Sequence, residues 1–147
     1  MLKKAGIVSQ STQTIENVND TPEGLPYIEG TLSEGGTLKA NISGIKDADG
    51  IPDLSNGVFE IDPFTYQWQL SDDGASWLDI EGGDEKSLTL GSSEVGKQIR
   101  VVANYTDGHG TNEVVASAAS PLVTNVNDAP TGTVLLAGSF VEDEVLT

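Results

Sequence analysis

The sequence contains no cysteine, so neither a disulfide nor a zinc–thiolate site can staple its fold. Any staple has to be the hydrophobic core or a hard cation held by oxygen atoms. Basic residues are scarce: seven Lys and Arg stand against 23 Asp and Glu, a formal net charge of −16. Such a surface repels nucleic acid and anionic membranes alike. The single histidine, His109, sits between two glycines, which leaves a nucleophilic triad without a positioned base. Phosphate-cradling glycine motifs are missing too. No apolar run reaches the length of a transmembrane helix, and Met1-Leu2-Lys3-Lys4 is not followed by the apolar stretch of a signal peptide. Either the first residue is an artificial boundary or export uses a signal elsewhere. Catalysis, nucleic-acid binding and membrane insertion are therefore not expected.

Few aromatics and a high net charge are also the marks of a disordered chain. Here Trp68, Trp77, Tyr27, Tyr66, Tyr105, Phe59 and Phe64 accompany a steady supply of Val, Ile and Leu, which is enough for a packed core. What organises these residues is a repeat. Asn17-Val18-Asn19-Asp20 recurs 108 residues later as Asn125-Val126-Asn127-Asp128, and at the same spacing Pro22 pairs with Pro130, Gly24 with Gly132, Gly30 with Gly138, Glu34 with Glu142 and Leu38 with Leu146. Running backwards, Ile7-Val8-Ser9 overlies Val115-Ala116-Ser117. A fixed period with short punctuation signals tandem units, and this period is long enough for each to bury its own core. Residues 1–16 then read as the last strand of a preceding repeat and 17–24 as a linker. Residues 25–124 are one complete repeat, 125–132 a second linker and 133–147 the first strand of the next.

Within the complete repeat the chain alternates apolar and polar residues in short runs rich in β-formers, such as Tyr66-Gln67-Trp68-Gln69-Leu70 and Ile99-Arg100-Val101-Val102-Ala103. Turn signals separate them at Asp49-Gly50, Asn56-Gly57, Asp73-Gly74, Gly82-Gly83 and Asp107-Gly108. Strands are expected near 26–32, 36–44, 64–71, 76–80, 86–91, 97–106 and 112–123. That count and spacing predict an all-β, immunoglobulin-like Greek-key β-sandwich of about seven strands. Trp68 on the third strand is expected between the sheets.

The Greek-key path decides which acidic loops meet. The loop with Asp47-Ala48-Asp49-Gly50 and the loop with Asp107-Gly108-His109-Gly110 fall at one end of the sandwich, beside the linker residues Asn17, Asn19 and Asp20. Glu34 and Glu94 fall at the other end, beside Asn125, Asn127 and Asp128. Calcium takes six to eight oxygens from carboxylates, amides and backbone, and alternate Asp residues before a glycine let a tight loop turn several oxygens inward. These eleven residues are the candidate ligands, and Ca2+ the expected cofactor. The plainer reading of each Asp-Gly pair is a turn, and of Glu94 a solvated turn residue.

The linker Asn125-Val126-Asn127-Asp128-Ala129-Pro130 resembles the calcium-binding linker of cadherins, with an Asn in place of the first Asp and one Asn missing. A fuller resemblance, over nearly all of 17–132, is to the immunoglobulin-like repeats of giant secreted bacterial adhesins, often of the RTX type. It is carried by Asp-Ala-Asp-Gly at 47–50, Tyr-Gln-Trp at 66–68 and Asp-Gly-Ala-Ser-Trp at 73–77. Val-Gly-Lys-Gln-Ile-Arg-Val at 95–101, Tyr-Thr-Asp at 105–107 and Asn-Val-Asn-Asp-Ala-Pro at 125–130 complete the set in the same order. Those repeats usually cross from Asp-Ala-Asp-Gly to Tyr-Gln-Trp in a few residues. Here Ile51 to Thr65 makes a longer excursion, read as an extra hairpin around Asn56-Gly57.

The resemblance implies a non-enzymatic structural extender repeat of a long adhesin, secreted or at the bacterial cell surface. Calcium at the linkers would rigidify the array. Its partners would be neighbouring repeats of the same chain, with any cell-surface glycan or protein reached through other domains, and the chain itself would be monomeric. The alternative is a glycan- or protein-recognition module of the same fold, for which Trp77, Tyr27 and the 51–65 excursion are the candidate contacts.

Overall fold

The computed structural model describes residues 6–52 and 62–138. Seven strands appear in chain order: β1 (Tyr27–Gly30), β2 (Thr37–Asn41), β3 (Thr65–Ser71), β4 (Leu78–Asp79), β5 (Ser87–Thr89), β6 (Gln98–Thr106) and β7 (Asn112–Ala116). All strand pairs are antiparallel. One sheet has the order β1-β2-β5 and the other β4-β3-β6-β7, a two-sheet sandwich with immunoglobulin-like connectivity. The expected hairpin around Asn56-Gly57 lies outside the described residues.

Strict alternation explains which faces pack. In β6, Ile99, Val101, Ala103 and Tyr105 are buried while the residues between them reach partly to solvent. Leu38 and Ala40 of β2 and Leu88 of β5 oppose them from the other sheet, and Tyr66 and Trp68 of β3 lie beside them. Trp68 pairs with Val101 across the β3–β6 ladder and is completely buried. Its indole N–H donates to the Glu85 carbonyl at 2.8 Å, so the polar edge of the ring is satisfied inside the core. Phe64 joins this cluster, its ring centroid 4.9 Å from that of Tyr105.

The last strand is shorter than the 112–123 expected. Beyond Ala116 the chain still follows β6, with Ser117 N–H donating to Val101 O and Ser120 N–H to Ile99 O. The hydroxyls of Ser117 and Ser120 accept from the amides of Val101 and Ile99. Side-chain oxygens thus replace the carbonyls of a regular ladder, and Pro121 has no N–H to restore it.

Outside the sandwich, residues 6–20 and 125–138 form no strand and leave Ile7, Ile15, Val134 and Leu135 exposed. Among the described residues the segment read as a further first strand, 133–138, has no sheet beside it, and a ladder needs a neighbour to bond.

Candidate metal centre

The β2–β3 and β6–β7 loops meet at one end of the sandwich. Gly108 N–H donates to the carbonyls of Asp49 at 3.1 Å and Gly50 at 2.9 Å. The first linker arrives at the same end, where Glu23 and Lys46 exchange two backbone hydrogen bonds of 2.8 Å. Just upstream, Asp20 N–H donates to Asp49 Oδ2 at 2.7 Å, and the Asn19 amide Nδ2 donates to Glu113 Oε1 at 2.7 Å. Asn17 is exposed, outside this network.

Two of the loop carboxylates, Asp47 and Asp107, also shape their own loops. Asp47 Oδ1 accepts from Asp49 N–H at 2.9 Å, and its Oδ2 accepts from the Tyr105 hydroxyl at 2.6 Å. Asp107 Oδ1 accepts from the amides of His109 at 2.9 Å and Thr111 at 2.7 Å, which folds the turn over the aspartate. Asp107 Oδ2 is different: it is the only buried side-chain polar atom without a hydrogen-bond partner among the described residues. His109 is an exposed loop residue, its Nε2 3.9 Å from Asp49 Oδ1.

Glu113, not anticipated from the sequence, completes the pole. It is the second residue of β7 and faces inward like Val115, two positions on. It pairs across the ladder with Tyr105 and is 9% exposed. The period-2 alternation that buries Val115 forces the acid inward too, which is the signal that could have revealed it.

Burial pushes the Tyr105 hydroxyl well above its usual range. The hydrogen bond to Asp47 and the charges of Asp47, Glu113 and Asp107 push in the same direction. For Asp107, desolvation pulls the carboxyl upward, but hydrogen bonds from Thr111, His109 and Gly110 outweigh it and hold it below the usual carboxylate range. The acid therefore remains charged, with one oxygen unmatched.

At the opposite end Ser33 and Thr124 form a parallel bridge. Gly35 N–H donates to Leu90 O at 2.8 Å and Gly96 N–H to Val123 O at 2.9 Å, so the β1–β2 and β5–β6 turns gather where the chain leaves the sandwich at Val123 and Thr124. Glu34 Oε2 accepts from Val126 N–H at 3.4 Å. Glu94 is buried, but its carboxylate accepts from Gly91 N–H and the Ser93 hydroxyl, both at 2.7 Å, capping a single 3-10 turn, Ser92–Glu94. Asn125, Asn127 and Asp128 are exposed.

Hard oxygen donors and an unmatched buried carboxylate oxygen suit calcium at the first pole, where Asp47, Asp49, Asp107, Asn19 and Asp20 would hold it. Among the described residues, however, no three acidic or histidine side chains are drawn as close as a metal would hold them. Internal N–H and O–H donors occupy both oxygens of Asp47 and one each of Asp49 and Asp107, and uncompensated carboxylates repel one another.

Fold and poles together define a class, an all-β sandwich with oxygen-rich loops at both ends. No protein-family model matches the chain, and no curated protein is significantly similar to it.

Proposed function

We propose that this chain carries an extender repeat of a long extracellular bacterial adhesin, made rigid by calcium bound where linkers enter the acidic poles. The observation that carries this reading is the unpartnered, buried Asp107 Oδ2 within a pole that already holds the linker at Asn19 and Asp20. Calcium there would neutralise the mutual repulsion of the carboxylates and join linker to loops.

The tandem reading has support from backbone geometry. Gly24 and its counterpart Gly132 have φ of +80° and +120°, and Gly30 and Gly138 have φ of +126° and +138°. Side chains rarely adopt such angles. A Cβ at Gly24 or Gly30 would also overlap the carbonyl oxygen of Gly44 or Thr37. A positive φ at both members of each pair supports reading them as equivalent positions.

The recognition-module alternative finds less to work with. A cleft of about 530 Å³ lies along β2, lined by Glu29, Lys39, Asn41, Asp62 and Lys86 among others. Its polar pairs are closed on themselves, Asn41 on Glu29 at 2.9 Å and Lys86 on Asp62 at 2.6 Å. Trp77 has one face covered by the Arg100 guanidinium, 4.4 Å from the ring centroid. Tyr27 remains half-exposed.

Thermal unfolding tests the proposal directly. Calcium should raise the melting temperature of the chain, and magnesium far less, because it dehydrates reluctantly and demands octahedral geometry. A melting curve that is the same in calcium and in chelator rejects the calcium reading.

A further inference from the structure

We infer that the acidic pole beside the first linker is a docking surface for the linker's Asn-Asp pair that works without metal. The Glu113 carboxylate is its anchor. Two direct hydrogen bonds hold the pair: Asn19 Nδ2 to Glu113 Oε1 and Asp20 N–H to Asp49 Oδ2, each 2.7 Å. Both acceptors belong to carboxylates at least nine-tenths buried, and each comes from a different element, the β2–β3 loop and the inward face of β7. A charged, partly desolvated acceptor makes these bonds stronger than ordinary neutral ones. The bridge between Glu23 and Lys46 continues the attachment into the repeat.

The other end is fastened differently. Thr124 is tied down by its N–H and hydroxyl, both donating to Leu32 O at 3.0 and 3.1 Å, and by its carbonyl, which accepts from Glu34 N–H. Beyond it, among the described residues, only the long Val126 N–H contact to Glu34 is present. Among the described residues, the part of the chain tied to the sandwich by short hydrogen bonds therefore begins at Asn19 and ends at Thr124.

In the tandem-repeat reading, on which this extension rests, Asn127 and Asp128 are the counterparts of Asn19 and Asp20. They would dock on the next repeat, where the residue equivalent to Glu113 receives them. Only Asn125-Val126, like the exposed Asn17-Val18, is then left as the joint. Each linker belongs mechanically to the repeat that follows it, and the hinge is two residues long.

The test uses the full chain in chelator, where calcium cannot contribute. Backbone 15N relaxation and amide exchange should show Asp20 as ordered as the sandwich, and Asn127 and Asp128 mobile. Glu113→Ala and Asn19→Ala should each lower Asp20 protection about tenfold, the scale of one lost charge-assisted hydrogen bond. Asn19→Ala does so from an exposed position, so the strands should stay protected. Glu113→Gln, whose carbonyl oxygen still accepts from Asn19, should restore most of the order. Asp20 as mobile as Asp128 in the parent chain would overturn the docking, and unchanged protection in Asn19→Ala would remove the anchor. A Glu113→Gln chain as loose as Glu113→Ala would overturn the hydrogen-bond account. None of these outcomes depends on whether calcium raises the melting temperature, so this inference and the calcium reading fail separately.

Discussion

Trp68 and Trp77 show how much a single position decides. They stand nine residues apart, yet one indole is fully buried with its N–H bonded to Glu85 O, whereas the other lies half-buried under Arg100. Truncating Trp68 to Ala removes a large ring from a closed core and should cost about 3–5 kcal/mol. Trp77→Ala loses a partly exposed cation–π contact and should cost about 1 kcal/mol. Denaturant unfolding of the two variants checks both values. A Trp68→Ala chain as stable as Trp77→Ala would contradict the core placement. Alternation made Trp68 legible in the sequence, but nothing local marked Arg100 as the partner of Trp77.

At the scale of an element, the β3–β4 turn is held by one side chain. Asp73 Oδ1 accepts from the amides of Ser76 and Ala75 at 2.7 and 2.9 Å and from the Ser71 hydroxyl. The Ser76 amide above all, then Ala75 and Ser71, lower its carboxyl from 3.8 to about 2. Because the folded value is depressed, the stabilisation is present above 3.8 and lost as pH falls towards about 2. NMR titration should place the Asp73 midpoint near the lower value. Asp73→Ala should be less stable at neutral pH and show a flatter loss of stability across that window. An Asp73 midpoint at the ordinary carboxylate value would show that these amides do not hold it. The Asp-Gly pair announced this turn in the sequence, but the donors that converge on the carboxylate did not show there.

On the scale of the whole molecule, stiffness would come from junctions and not from cores. In a two-repeat protein spanning the second linker, Asn127→Ala with Asp128→Ala should leave both sandwiches folded and abolish calcium-dependent straightening. Asn127 and Asp128 are exposed and outside the hydrophobic core of the sandwich, so their loss should cut the bridge without unfolding what it joins. Small-angle scattering should show the parent extending when calcium is added and the variant unchanged. A parent equally flexible in both conditions would remove the mechanical basis of the extender proposal and favour recognition through the β2 cleft.

By itself the sequence determined the seven strands, the burial of Trp68 and the ends at which the acidic loops gather. All of these follow from local rules: alternation selects the inward face, and turn residues set where strands stop. The tertiary structure alone decided what each acid touches. Glu94 and Glu34 share a pole, yet one caps its own turn and the other faces the linker. Glu113 looked like an ordinary strand residue until the fold set it beside Asn19, which lies 94 positions away. Whether a carboxylate is spent on its own loop or left over for a partner depends on donors delivered from distant segments, and no local pattern encodes them.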